Sequence, residues 1–304
     1  MRDLGDFASV TTHQGEGTMA SSWRGKLSRR GLASAAALLP AAAIAIPATA
    51  KAAEGESRFA RVMRTKKLRV SALSGEQPYF DKNLVSGKWT GFCVPMAESM
   101  AKVFAAEVVY VDSTWGTSVL DLQSGKVDLS FALNPTPQRA VAIGFTEPLF
   151  IHPFGAIAKP GFTPSIWADL DKPGIRIAVS VGSLYQTLAK RFAPRATAVG
   201  LTSSDQGILA LQSGRADAIL LAAIPGLGVI GKNPSLGTYR LISEPSVALP
   251  SDLGIQRESD TRFRDVLNAW LEYHGGIADI RQWVIEALAA EGVKASQFPP
   301  GLEF

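Results

Sequence analysis

Thr136-Pro137-Gln138-Arg139 has the residue types of an anion-binding helix start. Threonine suits the N-cap, proline the first helical position, and an arginine two residues later lies beside free backbone N–H groups. Such an arginine can make a bidentate, charge-assisted pair with a carboxylate where the helix dipole already favours negative charge. From these residues alone, a solvated surface arginine is the competing reading. Gly182-Ser183 is a second helix opener, directly after an apolar strand expected at residues 175–180. Two such helix N-termini facing across a cleft could grip one anion from both sides. Tyr79 and Phe80 follow another expected strand, residues 68–73, and their π-faces could stack an apolar or cationic ligand group.

Other chemistries find little support. Cys93 is the only cysteine, which excludes an internal disulfide and a thiolate metal cluster; a small buried hydrophobe is the expected role. His152 and His274 sit in no nucleophile or metal motif. Neither a metal nor a cofactor is expected. The 304 residues carry 31 basic and 27 acidic side chains. Residues 1–52 hold six of the former and three of the latter, so the remainder has 25 and 24, close to neutral, which argues against a nucleic-acid partner.

Those first 52 residues read as an export signal. Arg24, Lys26, Arg29 and Arg30 form a basic region, residues 32–46 an apolar run, and Ala48-Thr-Ala50 or Ala50-Lys-Ala52 a small-x-small cleavage site. Ser28-Arg29-Arg30-Gly-Leu32 is similar to the twin-arginine export motif, with Leu32 where phenylalanine is usual. Met19 is a candidate start, because residues 1–18 have no signal character. An apolar run broken by Pro40 is too short for a membrane anchor, so a periplasmic location is expected.

Helices and strands must position the candidate site, and their pattern is duplicated. Leu122-Gln-Ser-Gly-Lys-Val-Asp128 returns 89 residues later as Leu211-Gln-Ser-Gly-Arg-Ala-Asp217. Each copy reads as a helix end, a glycine in the left-handed position, a basic residue and an apolar strand. Strand and helix signals alternate through residues 68–133 and again through 175–230, which implies a largely parallel sheet covered by helices. Pro160-Gly161, Pro164 and Pro173-Gly174 separate the two series. Residues 262–290 read as two helices broken at His274-Gly-Gly276.

Leu68-Arg-Val70, Gln77-Pro-Tyr-Phe80, Gly91-Phe92, Trp115, Thr136-Pro-Gln-Arg139, Phe145-Thr-Glu-Pro148, Gly182-Ser183 and the two repeat copies occur in an order and at intervals that resemble the family-3 periplasmic solute-binding proteins, the amino-acid receptors of ABC importers. The resemblance covers about residues 66–290. It implies an α/β fold of the type 2 periplasmic binding class: two similar lobes, each with a mixed, mostly parallel sheet, joined by two hinge strands. Lobe 1 would span residues 66–157, lobe 2 residues 158–248, and residues 249–304 would return to lobe 1. The implied partners are a small carboxylate-containing solute and an inner-membrane ABC permease, with the receptor a monomer.

The resemblance also implies residue roles. Arg139 would hold the solute's carboxylate, with Asn134 in the loop before it and Ser183 and Leu184 opposite. Tyr79, Phe80 and Trp115 would form the floor and walls, although Phe80 and Trp115 could equally be core. Glu76 and Gln77 lie at the same strand end. Similar amino-acid receptors have an aspartate that pairs with the ligand's ammonium where this chain has Ala222. A desolvated ammonium without a charge partner costs several kcal/mol, so an ordinary α-amino acid is not the expected solute unless Glu76 compensates. Cyclohexadienyl dehydratases resemble these receptors and define a second expectation, an enzyme, which needs an acidic group in the cleft; Glu76 is the candidate. An extracytoplasmic sensor or accessory binding protein is the third.

Overall fold

The computed structural model describes residues 55–304. The expected export signal, residues 1–52, lies outside the described residues. Among these, no helix is long and apolar enough to cross a membrane.

In chain order, α1 (Arg58–Thr65) leads into β1 (Lys67–Leu73), and a small ribbon of β2 (Asp81–Lys82) and β3 (Trp89–Thr90) precedes α2 (Cys93–Val103). β4 (Glu107–Ser113), α3 (Ser118–Gln123), β5 (Leu129–Leu133) and α4 (Pro137–Ala142) complete the first series. The 15-residue β6 (Gly144–Ala158) crosses to the second. There α5 (Trp167–Leu170), β7 (Arg176–Ser180), α6 (Leu184–Phe192), β8 (Thr197–Leu201), α7 (Ser204–Gln212), β9 (Ala218–Ala222), α8 (Ala223–Lys232) and β10 (Tyr239–Leu241) follow. β11 (Ala248–Ile255) returns, and α9 (Arg262–Gly276) and α10 (Asp279–Ala290) pack on the first lobe. The break between the last two helices falls at Ala278, with φ 66°, rather than at the expected Gly275-Gly276, which α9 absorbs.

The duplication is structural down to its hydrogen bonds. Gly125 and Gly214 both take positive φ, 71° and 72°, just past the ends of α3 and α7. The repeat aspartates then perform the same task. Asp128 accepts from Arg69 N at 2.7 Å and Nη2 at 2.7 Å, while Asp217 accepts from Arg176 N at 2.9 Å and Nη2 at 2.9 Å. Each carboxylate therefore fastens its own βα unit to the start of the lobe's first strand.

The strand order β4-β1-β5-β11-β6-β9-β7-β8 is one path through both lobes. β4-β1-β5 and β9-β7-β8 are parallel within their lobes, whereas β6 and β11 run antiparallel to each other and to their outer neighbours. Two separate apolar cores result. Along β6, Leu149 and Phe150 belong to the first and Phe154, Ala156 and Ile157 to the second, so the core changes a few residues before the expected boundary at 157/158.

Candidate functional site

Arg139 is positioned as its sequence context predicts. Thr136 caps α4, its Oγ1 accepting from Arg139 N at 3.3 Å, and Pro137 occupies the first turn. The guanidinium donates from Nη1 to Asn134 O at 3.1 Å and from Nη2 to Gly182 O of the other lobe at 2.8 Å. No carboxylate among the described residues forms an ion pair with it. Burial alone lowers its pKa, the signature of a desolvated charge lacking a counter-charge.

Arg139 stands on the wall of a cavity between the lobes, together with Tyr79, Trp115, Asn134, Ser183 and Leu184. About 300 Å³ is free of atoms there. The lobes are thus drawn nearly shut. Gly182 explains how closely they meet: its φ is +76°, and a Cβ there would lie 2.5 Å from Gly116 Cα of the first lobe. Tyr79 forms the floor, its ring tilted against Phe92 at 5.0 Å, edge-on to Trp115 at 6.2 Å and stacked on Phe150 at 6.3 Å.

The remaining expected residues are placed otherwise. Ser183 does sit at the start of α6, but its hydroxyl donates to Ser180 O at 2.6 Å instead of capping the helix. Phe80 turns into the first core, edge-on to Trp89, Tyr110 and Phe131, because the ribbon and β4 cover it. Gln77 faces a different cavity, where Nε2 donates to Asp81 at 2.5 Å and Oε1 accepts from Lys232 Nζ at 2.6 Å. Ala222 is fully buried in the second core at the end of β9, and offers the cavity no side chain. Burial pushes the Tyr185 phenol pKa well up, and the Ala222 backbone only partly opposes it.

Glu76 is a bridge between the lobes. Although only 2% exposed, it accepts from Ser204 N at 3.0 Å and Ser204 Oγ at 2.6 Å, at the first turn of α7. Beside it, Gly75 O accepts from Asp205 N at 3.2 Å. Burial raises the Glu76 pKa to about 7 despite the compensating Ser204 contacts. The Trp115 indole also helps the ionised form, though its Nε1 lacks a partner of hydrogen-bond geometry.

The cavity wall also includes residues not anticipated: Ala132, His152, Tyr185 and Ser251. Ala132 has φ 57° where β5 and β11 slip register, a bulge that re-aims the chain toward the cleft. His152, a polar residue between Phe150 and Phe154 on alternate positions of a strand, was a legible signal, since a buried polar side chain is more informative than an apolar one. Among the described residues, no group of three or more His, Cys, Asp or Glu could hold a metal ion. Cys93 is fully buried, and burial pushes its thiol pKa well up, as fits a core residue.

Comparison with known proteins agrees with this architecture. A probable histidine-binding protein of Campylobacter jejuni is 27% identical over 173 residues, 57% of this chain and 66% of that protein, so the match spans just under two thirds of the relative's length. A cyclohexadienyl dehydratase of Pseudomonas aeruginosa is 23% identical over 259 residues, 76% of this chain and 92% of that protein. Among solved structures, a solute receptor for L-cysteine of Neisseria gonorrhoeae has a TM-score of 0.71 at 19% identity, covering 82% of this chain and all of that one, which establishes the fold. The family description of bacterial extracellular solute-binding proteins, family 3, matches residues 69–273, well over half of the chain. With two similar lobes, two hinge strands and an interlobe cavity, the chain belongs to the bacterial extracellular solute-binding proteins, family 3.

Proposed function

We propose that this chain is a periplasmic receptor that encloses a small carboxylate-bearing solute between its lobes and delivers it to an ABC permease, and that the solute is not an ordinary α-amino acid. The observation that carries the reading is Arg139: a partly buried guanidinium on the cavity wall, its hydrogen bonds going to backbone carbonyls, with no protein carboxylate paired to it. A ligand carboxylate would replace the Gly182 contact with a charge-assisted pair and reward closure of the lobes. Two facts support the absence of an ammonium from the ligand. No acidic side chain lines the cavity, and Ala222 stands where similar receptors carry the pairing aspartate. Glu76, the remaining acid nearby, has both oxygens engaged by Ser204.

One observation favours an enzyme on this scaffold: the dehydratase relative aligns over 92% of its length, and Glu76, with a pKa of about 7, retains a proton through much of the neutral range. Both Glu76 oxygens are engaged by Ser204 and Glu76 is not on the cavity wall, so the receptor reading has the stronger support.

The test is mass spectrometry of small molecules released by denaturing protein purified from the periplasm. A carboxylate without an amine, near one per chain, is the expected result. Stoichiometric release of a proteinogenic amino acid overturns the ammonium argument, and conversion of prephenate or arogenate by the purified protein overturns the receptor reading.

A further inference from the structure

The cavity beside Arg139 contains a polar side chain that the carboxylate grip does not use. His152 lies on hinge strand β6, 2% exposed, between Phe150 and Phe154 with ring centroids 5.2 and 5.6 Å away. Its Nε2 is 3.2 Å from Ser251 Oγ on the adjacent hinge strand, and its Nδ1 is buried with no protein partner. Burial holds the imidazole pKa down to about 3, so the ring is neutral at physiological pH and one nitrogen carries the proton.

The neighbouring hydrogen bonds decide which nitrogen that is. Asn134 Nδ2 donates to Pro250 O at 2.7 Å and to Ser251 Oγ at 3.2 Å. A hydroxyl that already accepts still has its own proton to donate, and His152 Nε2 is the acceptor within reach. With Nε2 accepting, the ring proton resides on Nδ1. The wall residues then include the Arg139 guanidinium, the His152 Nδ1–H and the unpartnered Trp115 Nε1–H as donors, but one formal charge. A buried donor without an acceptor is unfavourable, and a ligand oxygen would relieve it.

We infer that His152 is a specificity-determining residue whose Nδ1–H donates to a carbonyl oxygen beside the ligand's carboxylate group, so that the cleft selects 2-oxo acids over the matching 2-amino acids. The inference rests on the carboxylate-receptor reading and deepens it. A carbonyl oxygen only accepts, which suits a donor-lined wall. A second carboxylate would add a negative charge with no second cation to meet it, and an ammonium would set donor against donor.

The test uses matched probes on the mature protein: phenylpyruvate, 3-phenylpropionate and L-phenylalanine, and the smaller set pyruvate, propionate and L-alanine, titrated calorimetrically. In at least one set the oxo acid should bind about tenfold or more tighter than the parent carboxylate, with the amino acid weakest. In His152→Phe the ratio of oxo-acid to parent-acid affinity should fall to within about threefold of one. Equal binding of oxo and parent acids by the unmodified protein, or a preference that survives in His152→Phe, overturns the inference. Because a buried substitution can impair folding, the imidazole ¹⁵N spectrum of the unmodified protein gives an independent readout. A neutral Nδ1–H tautomer is expected, shifting toward a tautomer mixture in Ser251→Ala; an Nε2–H tautomer in the unmodified protein overturns the inference. If carboxylates bind through Arg139 without preference for the oxo group, His152 alone loses its role. If no carboxylate binds, or binding survives Arg139→Ala, the receptor reading falls and takes this inference with it.

Discussion

Replacing Glu76 by glutamine should make the protein's stability less dependent on pH. Glu76 is buried at the contact between the lobes, and desolvation raises its pKa from the ordinary 4.5 to about 7. A carboxyl whose folded pKa is raised contributes no penalty when both states are protonated, below about pH 4.5. As pH rises, the unfolded chain releases its proton first, so stability declines until the folded group ionises near pH 7 and is constant above it. The difference between 4.5 and about 7 corresponds to roughly 3 kcal/mol, an upper figure for a group that can relax. Glutamine keeps an acceptor for Ser204 and carries no charge. Urea unfolding at pH 5, 6.5 and 8 should therefore show the variant losing about 1–3 kcal/mol less than the unmodified protein between the two extremes. Alanine should lie about 1–3 kcal/mol below glutamine at every pH, because Ser204 N–H and Oγ lose their partner. An unchanged pH slope in Glu76→Gln would show that this carboxylate is not desolvated as described.

Gly182→Ala should weaken solute binding by about tenfold or more while costing only about 1–2 kcal/mol in unfolding free energy, since it combines a left-handed φ with a collision against Gly116 that only lobe separation can relieve. Calorimetry and small-angle scattering check this, and full affinity with unchanged dimensions would refute it. Asp217→Asn should destabilise by about 2–4 kcal/mol, because the 3% exposed carboxylate accepts from Arg176 N, Nε and Nη2 and from Lys159 Nζ. These contacts hold the Asp217 carboxyl well below the usual range. Its contribution is therefore present above about pH 4 and lost as pH falls further, so the variant should lose less stability than the parent on acidification below that point, as urea melts would show.

Much of the fold was legible because its signals are local. A helix end, a left-handed glycine and a strand recur in both copies of the repeat, and each aspartate proves to fasten its own lobe. Thr136 and Arg139 were legible for the same reason, since cap chemistry spans three residues. The remainder depends on distant segments. His152 and Ser251 meet across 99 residues because two hinge strands pair antiparallel, and Glu76 meets Ser204 across 128 because the lobes close. Pro148 and Pro153 lie in β6, and prolines in a central strand argue against reading one there, which offsets the signal of His152 alternating with Phe150 and Phe154. Gln77 and Phe80 flank Tyr79 but point elsewhere, because the turn that follows β1 sends successive side chains to another cavity, the cleft floor and the core.

The central claim is that Arg139 is the anion anchor of an interlobe solute site. The direct measurement is calorimetric titration of the protein and Arg139→Ala with the solute that co-purifies with it, alongside urea melts of both. The variant should fold to within about 1 kcal/mol of the parent, with binding weakened by at least about a hundredfold. A folded variant that binds the same solute with undiminished affinity would contradict it.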